Sequence, residues 1–293
     1  MRRTLPVVLV VSVLLALAGC AGKKPITPAA DLWTQGSEAM DQESWDLAIE
    51  KYKALLDQYP FDPNAEQAEL RIAQAYYFSN RYPEAIAAFG DFERMHPTSP
   101  NLAEIEYRRG LAYLAQHKTP DRDQQAVTNA LGSFQNIVDR YPGTPWADRA
   151  TLRIRECRES LAEHDAGIAT FYLRRGSLRA AEARLRGLLR QYPDTDATAQ
   201  TLWVFAAAWR DRDEPEEAHL ALATLAYHRP ELPIAAEARD KLATTGGVPA
   251  QDPMPALVAR IDALAYTPER LAVPSTVSSY PERAGAGQPG AGR

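Results

Sequence analysis

Cysteine is scarce in this chain of 293 residues: there are two, Cys20 and Cys157. Histidine is also thin, and its five copies at 96, 117, 164, 219 and 228 show no metal-ligand spacing. No Walker loop, no G-x-S-x-G and no H-E-x-x-H occurs, and the Gly-Ala-Gly near 285 falls in a low-complexity stretch. His164 lies between Glu163 and Asp165, but consecutive helical residues point in different directions, so the trio reads as a solvated helix face. These absences argue against an enzyme. The net charge of −5 argues against a nucleic-acid binder, which needs cations to meet phosphates.

What is present begins with a leader. MRRTLPVVLVVSVLLALAGC carries Arg2 and Arg3, no acid, and an apolar run from Val7 to Ala18 that is too short to cross a bilayer. It reads as a secretory signal over residues 1–19, to be set aside from the fold. LAGC at 17–20 resembles the bacterial lipobox, which implies cleavage before Cys20, a diacylglycerol on its thiol and an N-acyl chain on its amine. Each buried methylene adds about 0.8 kcal/mol of membrane affinity, so several chains anchor stably where one does not. No other cofactor is expected. Ala21 after the cysteine, in place of an acid, implies passage to the outer membrane. Cys157 then has no partner and reads as a small buried residue within RIRECRES. Residues 20–28 form the linker to the folded body.

The body, residues 29–244, is counted out in repeats. YPFDP at 59–63 returns as HPTSP at 96–100, YPGTP at 141–145, YPDTD at 192–196 and RPELP at 229–233. Twelve residues before Pro60, Pro97, Pro142, Pro193 and Pro230 stand Ala48, Ala85, Ala130, Ala181 and Ala218, each followed four residues later by Tyr52, Phe89, Phe134, Leu185 or Leu222. Upstream come small-then-large pairs: Gly36 and Ala39, Ala73 and Tyr76, Gly110 and Tyr113, Ala169 and Tyr172, Ala206 and Trp209. These landmarks resemble the tetratricopeptide repeat, in which a small residue on each helix admits its hairpin partner. The expected fold is all-α, a right-handed α-solenoid of about five helix hairpins. The first proline of each mark stops a helix. Asp62, Ser99, Thr144 and Thr195 are expected to cap the next helix, with Pro63, Pro100 and Pro145 at its first position.

The proline-to-proline periods are 37, 45, 51 and 37, against about 34 for a standard repeat. The extra residues of the third repeat, around QHKTPDRDQQ, read as a loop. The fourth carries fourteen more than the 37-residue repeats, close to four helical turns. This predicts one long helix from about Trp146 to Arg174, with two helices meeting near His164 as the alternative. Residues 245–293 read as a mostly disordered tail, apart from a candidate short helix around PALVARIDAL.

Two surfaces stand out. Residues 146–190 hold ten arginines, no lysine and six acids, a net of +4, whereas residues 29–145 hold ten bases and eighteen acids, a net of −8. Arginine without lysine suits bidentate recognition of carboxylates. The second surface is an apolar stripe along the first helices of the hairpins: Trp33, Met40, Leu70, Tyr77, Tyr107, Leu111 and Leu114. Such a stripe suggests a peptide groove, although packing between repeats could consume part of it.

Taken in order, LAGC, YPFDP, AYY at 75–77, HPTSPN, YRRGL at 107–111, DRDQQA at 121–126, RYPGTPWADRA, LAEHDAGIATFYLRRG and RQYPDT resemble the BamD family, the tetratricopeptide lipoproteins of the outer-membrane β-barrel assembly machinery. The resemblance runs from residue 17 to about 230. It implies a non-enzymatic scaffold on the periplasmic face of the outer membrane. Its N-terminal repeats would receive the C-terminal targeting signal of unfolded outer-membrane proteins, and its C-terminal repeats would dock a POTRA domain of the barrel-forming subunit. Accessory lipoproteins are further candidate partners. By motif position Arg175 and Arg184 align with family arginines on the docking side, with Arg179 and Arg190 as neighbours. The chain departs from the family in a shorter third-repeat insertion and in its tail beyond about 245. Other envelope tetratricopeptide lipoproteins serve peptidoglycan hydrolases or cell division, which is the alternative reading.

Overall fold

The computed structural model describes residues 27–116 and 123–264. The leader, Cys20, most of the third-repeat loop and the last part of the tail lie outside the described residues. Among those described there are twelve helices and no strand: α1 (Ala29–Asp41), α2 (Trp45–Gln58), α3 (Ala65–Phe78), α4 (Tyr82–Met95), α5 (Leu102–Gln116), α6 (Gln125–Arg140), α7 (Pro145–Arg174), α8 (Leu178–Gln191), α9 (Asp196–Arg210), α10 (Pro215–His228), α11 (Pro233–Leu242) and α12 (Met254–Leu264).

The punctuation does what its chemistry requires. All five second helices stop two residues before their proline, at Gln58, Met95, Arg140, Gln191 and His228. Thr195 Oγ1 accepts from the backbone N–H of Thr198, and Thr144 Oγ1 from that of Ala147, so both cap as expected. Asp62 and Ser99 act one step earlier. Their side chains accept from the N–H of Asn64 and Asn101, and the helices proper begin at Ala65 and Leu102, leaving Pro63 and Pro100 in the turn. The fourth repeat's extra residues form one continuous helix, α7, thirty residues long.

A second regularity sits between the two helices of four of the five hairpins. Glu43, Asn80, Gly176 and Asp213 all have positive φ, between 56° and 73°. In each case the next residue's N–H reaches the carbonyl five residues back: Ser44 to Ala39, Arg81 to Tyr76, Ser177 to Tyr172, Glu214 to Trp209. This is a Schellman ending, which satisfies carbonyls orphaned at the end of the helix.

The chain divides into two compact units, one of residues up to 118 together with 125–154, the other essentially from 155 onward. In the first unit each helix from α1 to α6 packs on its chain neighbour. The landmark contacts are tight: a Cβ placed on Gly36 would lie 2.8 Å from the Tyr52 ring, and one on Gly110 would lie 2.6 Å from the Phe134 ring. Tyr52, Phe89 and Phe134 are fully buried, as are Ala48, Ala85 and Ala130.

In the second unit Ala169, Ala181, Leu185, Phe205, Ala206 and Trp209 form one core with α10 and α11. The indole Nε1 of Trp209 donates to the buried carboxylate of Glu182 at 2.9 Å. The candidate helix around PALVARIDAL exists as α12, and it packs on α8 and α10 with Leu257 and Ile261 buried. The folded body therefore extends beyond residue 244, correcting the boundary drawn from sequence: two apolar residues four apart suffice when a neighbouring face awaits them.

Candidate functional site

In the first unit the structure gathers part of the apolar stripe. Trp33 meets the Tyr52 ring edge-on at 5.5 Å, and Met40 is half-buried against the same core. Leu70 is 3% exposed. It is a core residue, and its place in the groove is withdrawn: the interface with the neighbouring helices consumes it. Leu111 and Leu114, on α5, are half-buried.

Tyr77 and Tyr107 carry the site. Tyr77 closes a chain of rings in which Trp45 stacks on Phe78 at 5.3 Å, Phe78 meets Tyr77 at 5.5 Å and Tyr77 meets Tyr82 at 5.8 Å. Tyr107 sits between Phe134, at 5.5 Å, and Trp146, at 5.4 Å, and Arg149 lies over the Trp146 ring. The Nε of Arg153 donates to the Tyr107 hydroxyl at 3.4 Å. Burial, and then the neighbouring Tyr82, push the Tyr77 phenol above its ordinary pKa, while Arg108 and Arg153 pull it down. Tyr77, Tyr107, Arg108 and Arg153 thus share one electrostatic neighbourhood, contributed by α3, α5 and the start of α7.

Arg108 was not picked out in the sequence, its one signal being adjacency to Tyr107, and Arg153 showed only as one of the ten arginines of residues 146–190. Arg108 is oriented by Glu104, one turn back on α5, through a 2.7 Å hydrogen bond. The helix itself is set by an ionic network. Arg109 donates to Glu106 at 2.6 Å and to Glu93 at 2.9 Å, and Glu93 also accepts from Arg140, tying α4, α5 and α6 together. Burial opposes the Arg109 charge, but Glu106 and Glu93 outweigh it and its pKa is raised. Aromatic walls beside two guanidinium groups suit a polypeptide carrying rings and carboxylates.

In the second unit the arginines of the docking expectation separate. Arg175 is exposed, its guanidinium 4.9 Å from the centre of the exposed Phe171 ring. Arg179 and Arg184 are exposed on α8, but five residues of helix turn them about 140° apart. Arg190 donates to Asp262 of α12 at 3.3 Å, and Arg186 pairs with the same carboxylate. Asp262 lay in the stretch read as tail, so this pairing had no sequence signal. Nearby, the Glu159 carboxylate accepts from the backbone N–H groups of Asp196 and Ala197, at 2.9 and 2.7 Å, and pins the N-terminus of α9 to α7. Cys157 is buried and forms no disulfide among the described residues. Among the described residues no group of three or more His, Cys, Asp or Glu side chains could hold a metal ion, and no helix is long and apolar enough to cross a membrane.

Antiparallel helix hairpins locked by small-against-large contacts define a tetratricopeptide-type helical repeat protein. The family is narrower than that. The chain belongs to the YfiO family of outer membrane lipoproteins, which it matches over residues 25–225. It is 32% identical to outer membrane protein assembly factor BamD of Vibrio cholerae over 218 residues, covering 71% of this chain and 90% of that protein. The protein of the same name from Caulobacter vibrioides is 30% identical over 77% of each chain. That from Neisseria meningitidis serogroup B is 28% identical, over 71% of this chain and 85% of its own.

Proposed function

We propose that this protein is a non-enzymatic scaffold for outer-membrane protein assembly, held by acyl chains on Cys20 to the periplasmic face of the outer membrane. Its first unit binds unfolded β-barrel precursors. The observation that carries the reading is the Tyr107 ring, packed between Phe134 and Trp146 with Arg153 donating to its hydroxyl, together with the run of rings through Tyr77, in whose electrostatic field Arg108 and Arg153 lie. Rings on both sides hold the aromatic residues of an extended segment, and the two cations hold its carboxylates. Trp33, Met40, Leu111 and Leu114 lengthen the apolar floor. The second unit docks a POTRA domain of the barrel-forming subunit through Arg175, Arg179 and Arg184. Arg190, engaged by Asp262, contributes through the position of α12.

Photo-reactive residues at 77 and 107 test the groove. Crosslinks to a denatured barrel precursor, absent from the same probe at the exposed Leu152, support it, and equal yields at all three positions refute it. Docking by exposed arginines is steered by charge, so affinity for the POTRA partner falls with salt. Arg184→Glu should remove that partner from co-purification, and retention at wild-type yield would refute the role of Arg184.

A further inference from the structure

We propose that the turn between α2 and α3 rests on the lipid surface, with the Phe61 ring seated among the headgroups. Phe61 is 98% exposed, the most open of the exposed large hydrophobic side chains among the described residues. It stands at the apex of a turn bracketed by Pro60 and Pro63, whose rings fix the local backbone and lower the entropic cost of presenting it. The side chain of Asp62 is folded into the turn, accepting from the N–H of Asn64 at 2.8 Å. The apex is therefore led by the ring.

The position of the chain's entry identifies the occupant. The Tyr59 hydroxyl donates to the carbonyl of Thr27 at 3.1 Å, so the turn lies beside the first described residues. Thr27 follows Cys20 by seven residues, a span of at most about 25 Å even when fully extended. The inference rests on the reading that Cys20 is acylated. An anchor so close turns insertion of the ring into an intramolecular event at high effective concentration, and one aromatic residue is then enough to bias orientation. Asp57, exposed at the end of α2, keeps the contact shallow.

The test uses the full acylated chain carrying Phe61→Cys, labelled with a polarity-sensitive dye, on vesicles of phosphatidylethanolamine and phosphatidylglycerol in equal parts. Cys157 is 1% exposed, leaving the introduced thiol as the reactive one. Leu47→Cys, near the opposite end of α2 and 44% exposed, is the control. The expected result is a blue shift at position 61 and quenching by headgroup spin labels roughly threefold or more above that at position 47, as for a ring at interfacial depth. If the chain floats with vesicles and the two dyes behave alike, the lipid contact is refuted while the anchor stands. If the chain does not float, the anchor reading fails and takes this proposal with it. A shift at 61 produced by a denatured barrel precursor without vesicles, and not by vesicles, assigns the ring to a protein partner and refutes the proposal.

Discussion

Gly110→Ala adds one methyl group to the middle of α5, and its fate is fixed by geometry. The new carbon would lie 2.6, 2.8 and 3.1 Å from three atoms of the Phe134 ring. That ring is fully buried, and Tyr107 packs on it at 5.5 Å, so it has no free direction in which to yield. Exchanging glycine for alanine in a helix gains about 0.8–1 kcal/mol of propensity, whereas overpacking a filled core costs about 1–3 kcal/mol. Gly132→Ala, on the facing helix α6, isolates the first quantity because nothing lies within 4 Å of its added carbon. Gly132→Ala should therefore stabilise by about 1 kcal/mol, and the two variants should differ by about 1–3 kcal/mol, the overpacking cost alone. Urea unfolding followed by circular dichroism measures both. Phe134→Leu in the Gly110→Ala background should shrink the penalty, because the clashing ring atoms are gone. Equal stability of the two alanine variants would refute the claim that the hairpins are set by small-against-large contact.

The hairpin turns give a second test. Glu43→Gly relieves a left-handed side-chain penalty of about 1–2 kcal/mol against a glycine entropy cost of about 0.5–1 kcal/mol, so a net gain of about 0.5–1 kcal/mol is expected from thermal melts. Gly176→Ala should lose about 1 kcal/mol in the same assay. Leu257→Ala should cost about 2–5 kcal/mol through the cavity left under α12. Asp262→Ala, which removes only part-exposed ion pairs, should cost about 1 kcal/mol or less. Comparable losses at the two sites would contradict the apolar docking of α12.

The hairpins were legible because their determinants are local. Helix endings are set by prolines, and partner approach by Gly36, Ala73, Gly110, Ala169 and Ala206. The unbroken α7 was legible for the same reason, since no proline interrupts it. Side-chain convergence was not. Tyr107 and Arg153 lie on helices far apart in sequence, and only the register between those helices brings them together. Leu70 failed as a groove residue because one step around a helix separates surface from interface. The left-handed turns hid because Glu43, Asn80 and Asp213 fill a position where glycine is the usual marker, and only Gly176 shows it. Arg190 was read as a neighbour of the docking arginines, and its pairing with Asp262 was hidden because Asp262 belongs to a stretch with little periodicity.

The central claim is that this tethered set of helix hairpins works by gripping other polypeptides of the barrel-assembly pathway. Its most direct test is a pull-down of the tagged, acylated chain from detergent-solubilised envelopes, read by mass spectrometry beside the Arg184→Glu variant. The expected result is a POTRA-bearing barrel subunit together with barrel precursors, the former lost from the variant. Recovery of peptidoglycan hydrolases or division proteins in their place would contradict the account.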